Sequence, residues 1–123
     1  MKAIHYDAEG DILSVTFAET QEQRHTGLEL SDNIVLYYNP ETEKPLKLVL
    51  LSYSALLQTS AETPILLDGL ARAPVNVQAT VIALLQRTPL TVFMQTVESH
   101  GQTPLTSQLY NIFTPNAVQT IAA

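Results

Sequence analysis

The amino-acid sequence predicts an α+β fold in a single domain: a twisted, mainly antiparallel β-sheet with one substantial helix and a carboxy-terminal β-hairpin. Three observations lead there. Up to Tyr53, apolar and polar residues alternate with the period of strands, and the turn-forming clusters DAEGD, SDN and NPETEKP separate the runs. Beyond residue 60, prolines at 64, 74, 89, 104 and 115 divide the chain. Proline lacks an amide donor and steers its predecessor away from the helical region, so each marks an element boundary. Between two of them, PVNVQATVIALLQRT carries apolar residues at 75, 77, 81, 82, 84 and 85, with Arg87 near its end and Pro89 just beyond. That spacing predicts a helix over 74–87. A chain of 123 residues can bury one core without disulfides or metals; residues 1–60 make its hairpin-rich half and 61–123 a helix-plus-hairpin extension.

Two registers compete for the first element, HYDAEGDILSVTF. A three-residue loop, Ala8 to Gly10, would set Tyr6 opposite Ile12 and put His5 on the face of Leu13, Val15 and Phe17. A four-residue loop, Ala8 to Asp11, sets Tyr6 opposite Leu13, Ile4 opposite Val15 and His5 opposite Ser14. The second gathers Ile4, Tyr6, Leu13, Val15 and Phe17 on one face, and burial selects it, because a slip of one residue turns every side chain over. His5 and Asp7 then lie on the outer face, while Glu9 and Asp11 belong to the loop, where Asp bonds nearby amides and Gly supplies conformational freedom. The loop lacks the Asp-x-Asp-x-Asp-Gly order and distal Glu of a calcium loop. The row of His5, Asp7, Glu9 and Asp11 is therefore read as the end of a hairpin.

Further along, Ile34, Leu36 and Tyr38 are assigned to the core face and Tyr37 to the outside. In the next strand Val49 and Leu51 are assigned inward, which turns Leu48 and Leu50 outward. Tyr37, Leu48 and Leu50 then form an apolar outer face, costly in water at about 25 cal/mol per Å². It is the candidate interaction face, to be covered by the helix at 74–87, a second subunit or a partner. In LLDGLARAP, Asp68 and Arg72 stand four apart, the spacing of a surface ion pair. LTVFMQTV at 90–97 and LTSQLYNIF at 105–113 are β-favouring runs joined by ESHGQTP, and TPNAVQTIAA can open a short helix with Thr114 as its cap.

YDAEGDILSVTF followed by DNIVLYYNPETEKPLKLVLLSYSALL resembles the small bacterial β-rich proteins of domain of unknown function 2283, which open with a Tyr-Asp-x-x-x-Asp hairpin. The resemblance covers residues 3–57. Tyr6, Asp7, Asp11, Leu13, Val15 and Phe17 match the first motif. In the second, the family's Asp is Tyr37, its Gly Leu48 and its Glu Leu50. The resemblance implies an antiparallel sheet of four or five strands and an antitoxin-like role; the family carries no assigned activity.

Composition narrows function by exclusion. Acidic residues number 12 against 6 basic, for a net charge of −6. With no basic cluster, this argues against nucleic acid and anionic membrane surfaces. There is no cysteine, which excludes disulfides, thiolate metal sites and a cysteine nucleophile and fits a cytoplasmic protein. A carboxylate at position 7 interrupts any signal-peptide apolar region, and the longest apolar run, LVLL at 48–51, is too short to span a bilayer. His5, His25 and His100 sit in no zinc spacing; His100 and Glu98 share a turn. Four glycines, at 10, 27, 69 and 101, build neither a nucleophile elbow nor a phosphate loop. The expectation is a protein without catalytic residues, metal or cofactor. It would be an acidic regulatory or accessory module acting by protein–protein interaction, with a homodimer or a small protein as partner. The alternative is a small-molecule binder or weak hydrolase whose carboxylates and His100 meet only in the folded chain.

Overall fold

In the computed structural model, which describes residues 3–19, 24–99 and 102–109, five antiparallel strands form the first sheet. They are β1 (Ala3–Asp7), β2 (Ile12–Thr16), β3 (Thr26–Ser31), β4 (Ile34–Asn39) and β5 (Lys44–Leu50), in the order β1-β2-β5-β4-β3. The first hairpin has the four-residue loop: Ile4 pairs with Val15, His5 with Ser14 and Tyr6 with Leu13. The β4–β5 hairpin repeats the device. Asp7 Oδ1 accepts the amides of Glu9 and Gly10 (3.1 and 3.3 Å), and Asn39 Oδ1 accepts those of Glu41 and Thr42 (2.9 and 3.2 Å). Each loop ends on an acidic residue with positive φ, Asp11 at 55° and Glu43 at 54°. The parallel runs Tyr6-Asp7-Ala8-Glu9-Gly10-Asp11 and Tyr38-Asn39-Pro40-Glu41-Thr42-Glu43 encode one loop twice, through a side chain that bonds the backbone ahead of it.

The proposed outer face is overturned. Leu48 and Leu50, expected outside, are buried together with Leu46; Val49 and Leu51 are only half-buried. The cause is a β-bulge. Tyr38 pairs with Pro45, yet Tyr37 pairs with Lys47, so β5 gains one residue on β4 at Leu46. An extra residue reverses the parity of everything beyond it. Without it Lys47 and Val49 would face inward; with it three leucines do. Leu48 then lies between Val15 and Leu36 on the central strand. Tyr37 is half-buried on the outer face, opposite Gly27. A Cβ added to Gly27 would stand 2.8 Å from the Tyr37 ring, so the ring covers backbone that glycine leaves bare. Leu48 and Leu50 are therefore in the core and not on an outer face, and Tyr37 alone of the three faces outward, half-buried against Gly27.

The α+β class holds, with more helix than expected. Helix α1 (Tyr53–Glu62) occupies a stretch given no helix in the sequence reading; α2 (Asp68–Ala71) and α4 (Leu90–Phe93) are single turns, and α3 (Val75–Leu85) is the predicted helix. Residues 90–93, expected as strand, are therefore helical. Their change of state at Met94 keeps Leu90, Phe93 and Met94 all buried. A second antiparallel sheet joins β6 (Ile65–Leu66), β7 (Met94–Ser99) and β8 (Gln102–Leu109) in the order β6-β8-β7. The expected continuation of the last strand to 113 and the short helix at 114–123 lie outside the described residues. One buried cluster runs from Leu13, Leu36 and Leu48 of the first sheet through Tyr53 and Leu56 of α1 and Val81, Leu84 and Leu85 of α3 to Phe93 and Met94. The extension is thus packed into the same core as the hairpin half. No described helix is long and apolar enough to cross a membrane.

Candidate functional site

The acidic row of the first hairpin separates into different jobs. Asp7 closes its loop, whereas Asp11 reaches forward to α1. Its carboxylate accepts the Ser54 amide (3.0 and 3.2 Å), the Ser54 hydroxyl (3.0 Å) and the Tyr6 hydroxyl (2.7 Å), and its carbonyl accepts the Tyr53 amide (2.9 Å). Ser52, at the helix start, makes no side-chain cap. A residue 43 positions upstream of Ser54 therefore caps α1, and negative charge there also meets the positive end of the helix dipole. The Tyr6 and Tyr53 rings pack 6.2 Å apart beside this junction.

Burial raises the Asp11 pKa, but the bonds from Tyr6 and Ser54 together outweigh it and hold the carboxyl below its ordinary 3.8. The same bond, with burial, raises the Tyr6 phenol above its ordinary 10.0. Because the folded Asp11 pKa is depressed, its contribution to stability is complete above the unfolded value and drains as pH falls through the folded one. Asp11→Ala is expected to cost about 2 kcal/mol in urea unfolding at neutral pH, and Tyr6→Phe about 1 kcal/mol. In Asp11→Asn the acid limb of the stability profile flattens; an unchanged limb would show that this carboxylate does not hold the helix.

Other sequence candidates are dispersed. Asp68 and Arg72 form an exposed ion pair at 3.4 Å, and Asp68→Asn should change stability by less than about 0.5 kcal/mol in the same assay. His5 is exposed on the outer face, and His100 lies outside the described residues. His25 lines a cavity of about 510 Å³ with Arg24, Tyr38 and Pro74, with no carboxylate among the described lining residues. Among the described residues no three His, Asp or Glu side chains stand together as a metal site.

A larger concavity than the His25 cavity had no signal in any local motif. It is an open cleft of about 930 Å³ where the end of β2, the β4–β5 loop and the end of α3 converge. Phe17, Pro45, Leu46, Leu84 and Pro89 supply its apolar surface and Thr42, Glu43, Lys44, Arg87 and Thr88 its polar rim. Each wall has a cause in the backbone. The amides of Phe17 and Ala18 donate to the Leu46 carbonyl (2.8 and 3.3 Å), extending the sheet past β2. The Asn39 turn presents Thr42 and Glu43. Pro89 begins the next helical segment, and Phe93 from α4 packs its ring 5.8 Å from that of Phe17.

Arg87 is fixed at the rim. Its Nε donates to the Ala83 carbonyl (3.1 Å) and its Nη2 to the Glu43 carbonyl (3.3 Å), tying α3 to the β4–β5 loop. Arg24 pairs with Glu41 (3.0 Å) and Arg72 with Asp68, whereas Lys44 and Arg87 enter no ion pair among the described residues. The Glu43 carboxylate is 3.5 Å from the Thr80 hydroxyl of α3, whose nearer acceptor is the Asn76 carbonyl (3.2 Å). The cleft can thus hold apolar matter against two unpaired cations. Its described lining residues include no histidine. No protein-family model, curated protein or solved structure matches this chain.

Proposed function

We propose that this protein is a small acidic accessory module of the cytoplasm that works by protein–protein interaction, docking a segment of a partner protein in the cleft between β5 and the end of α3. The observation that carries the reading is the cleft itself. Its volume of about 930 Å³ is at the upper end of the usual range for binding sites, and it combines an apolar floor with a few placed polar groups. The resemblance to domain of unknown function 2283 is part of the same proposal. It is supported by the first motif forming the hairpin that the family pattern calls for, with Asp11 at its turn. The absence of cysteine supports a reducing compartment.

A display library of random dodecapeptides tests the reading. Peptides enriched on the protein should shift the amide resonances of 42–46 and 84–88. They should also fail to bind Thr42→Trp, in which an indole replaces an exposed side chain of the rim. Enrichment of no peptide, or binding indifferent to Thr42→Trp, would overturn it.

A further inference from the structure

We infer that the segment accepted by this cleft carries a carboxylate next to an apolar side chain, with Arg87 as the anchor of the carboxylate and Lys44 as a second cation. This rests on the docking reading above and specifies its chemistry. The chain has 12 acidic and 6 basic residues, and of the five basic ones among the described residues Lys44, Lys47 and Arg87 have no ion-pair partner there. Two of these three share the rim of the cleft, while Arg24 and Arg72 each have a carboxylate partner.

Arg87 is also prepared for an anion. A guanidinium has five N–H donors in a planar fork. Its two bonds to backbone carbonyls hold the plane in place without neutralising its charge and leave three donors for a ligand. A carboxylate can accept two of these side by side, the geometry that makes arginine the usual reader of carboxylates. Phe17, Leu46 and Leu84 beside it offer apolar surface that an isolated ion would not use, so the matching ligand is amphipathic. The one acid of the described rim, Glu43, extends toward Thr80. Its backbone carbonyl is the group that positions Arg87. Its side-chain charge still opposes an incoming anion, so Glu43→Gln should tighten binding of an acidic segment about two- to threefold.

Calorimetric titration of the selected peptides, each paired with its Glu→Gln or Asp→Asn counterpart, tests the inference. Acidic peptides should bind roughly tenfold more tightly than their amide counterparts, and Arg87→Gln should remove that difference while barely changing the amide peptides. Lys44→Gln should weaken the acidic peptides alone, by about threefold. Arg87→Lys keeps the charge and loses the fork, and should recover only part of the preference. Equal binding of acidic and amide peptides, or an Arg87→Gln effect common to both, overturns the inference and leaves docking standing. No peptide bound by the wild-type protein would remove the docking reading itself. Thermal unfolding of each variant within a few degrees of wild type shows that the fold is intact.

Discussion

Leu48→Ala is expected to remove about 3 kcal/mol of folding stability, measured by urea unfolding with its slope unchanged. Leu48 is fully buried on the central strand, opposite Val15 on one side and Leu36 on the other. Truncation removes the transfer free energy of three carbons and leaves a cavity that two flanking strands cannot close. For a domain of ordinary stability, about 5–15 kcal/mol, that is a large share of the whole. Val49→Ala, one residue along on the half-buried outer face, should cost less than about 1 kcal/mol. The contrast separates the observed register from the unbulged one, which exchanges the two results: Val49 sensitive, Leu48 tolerant. Loss of binding with unchanged stability in Leu48→Ala would restore it as an interaction residue.

The bulge also shows where sequence reasoning stops. Register in the first hairpin was legible because the two alternatives differ in what they turn inward: one sets His5 among Leu13, Val15 and Phe17, the other sets Tyr6 there, although Ile4, expected in the core as well, is exposed near the end of the edge strand. In β5 the run Leu46-Lys47-Leu48-Val49-Leu50-Leu51 is apolar on both parities beyond Lys47, so pairing from the loop outward gives a plausible wrong answer. The discriminating signal was present in Lys47: keeping it out of the core forces Leu46, Leu48 and Leu50 in, at the cost of one extra residue.

Helix α1 was hidden for a different reason. Tyr53, Leu56 and Leu57 have helical spacing, but the segment starts on Ser52 at positive φ, with no cap of its own. The cap is the Asp11 carboxylate, brought there by the first hairpin, and no local window contains it. Helix α3, bounded by Pro74 and Pro89, carries its own punctuation in the sequence. The cleft is the extreme case, since Phe17, Lys44, Leu84 and Arg87 are joined only by the tertiary fold. Arg87 was visible in sequence merely as the basic end of a helix, which is half of its role. The other half, its bond to the Glu43 carbonyl, depends on the Asn39 turn that sets that carbonyl in place.

Gly69→Ala is expected to destabilise the protein by more than about 2 kcal/mol, against what local helix preference alone predicts. Gly69 lies inside α2, where alanine is the better helix former by about 1 kcal/mol. On that ground the substitution should stabilise. The tertiary setting reverses the sign. A β-carbon at Gly69 would collide with the carbonyl oxygen of Glu29 and stand 3.0 and 3.1 Å from the carbonyl carbons of Glu29 and Leu30. These are backbone atoms of β3, so no rotamer change relieves the clash, and α2 must move off the strand. Leu67 and Leu70, on either side of Gly69, are fully buried, and any displacement of α2 draws both from the core. The change should therefore lower stability and speed hydrogen exchange at 28–31 and 67–70 together, while Ala71→Gly, in the same short helix, should cost no more than about 1 kcal/mol. A Gly69→Ala protein as stable as wild type would mean that α2 does not rest on the β3 backbone, and that the extension meets the hairpin half less closely than the shared core requires.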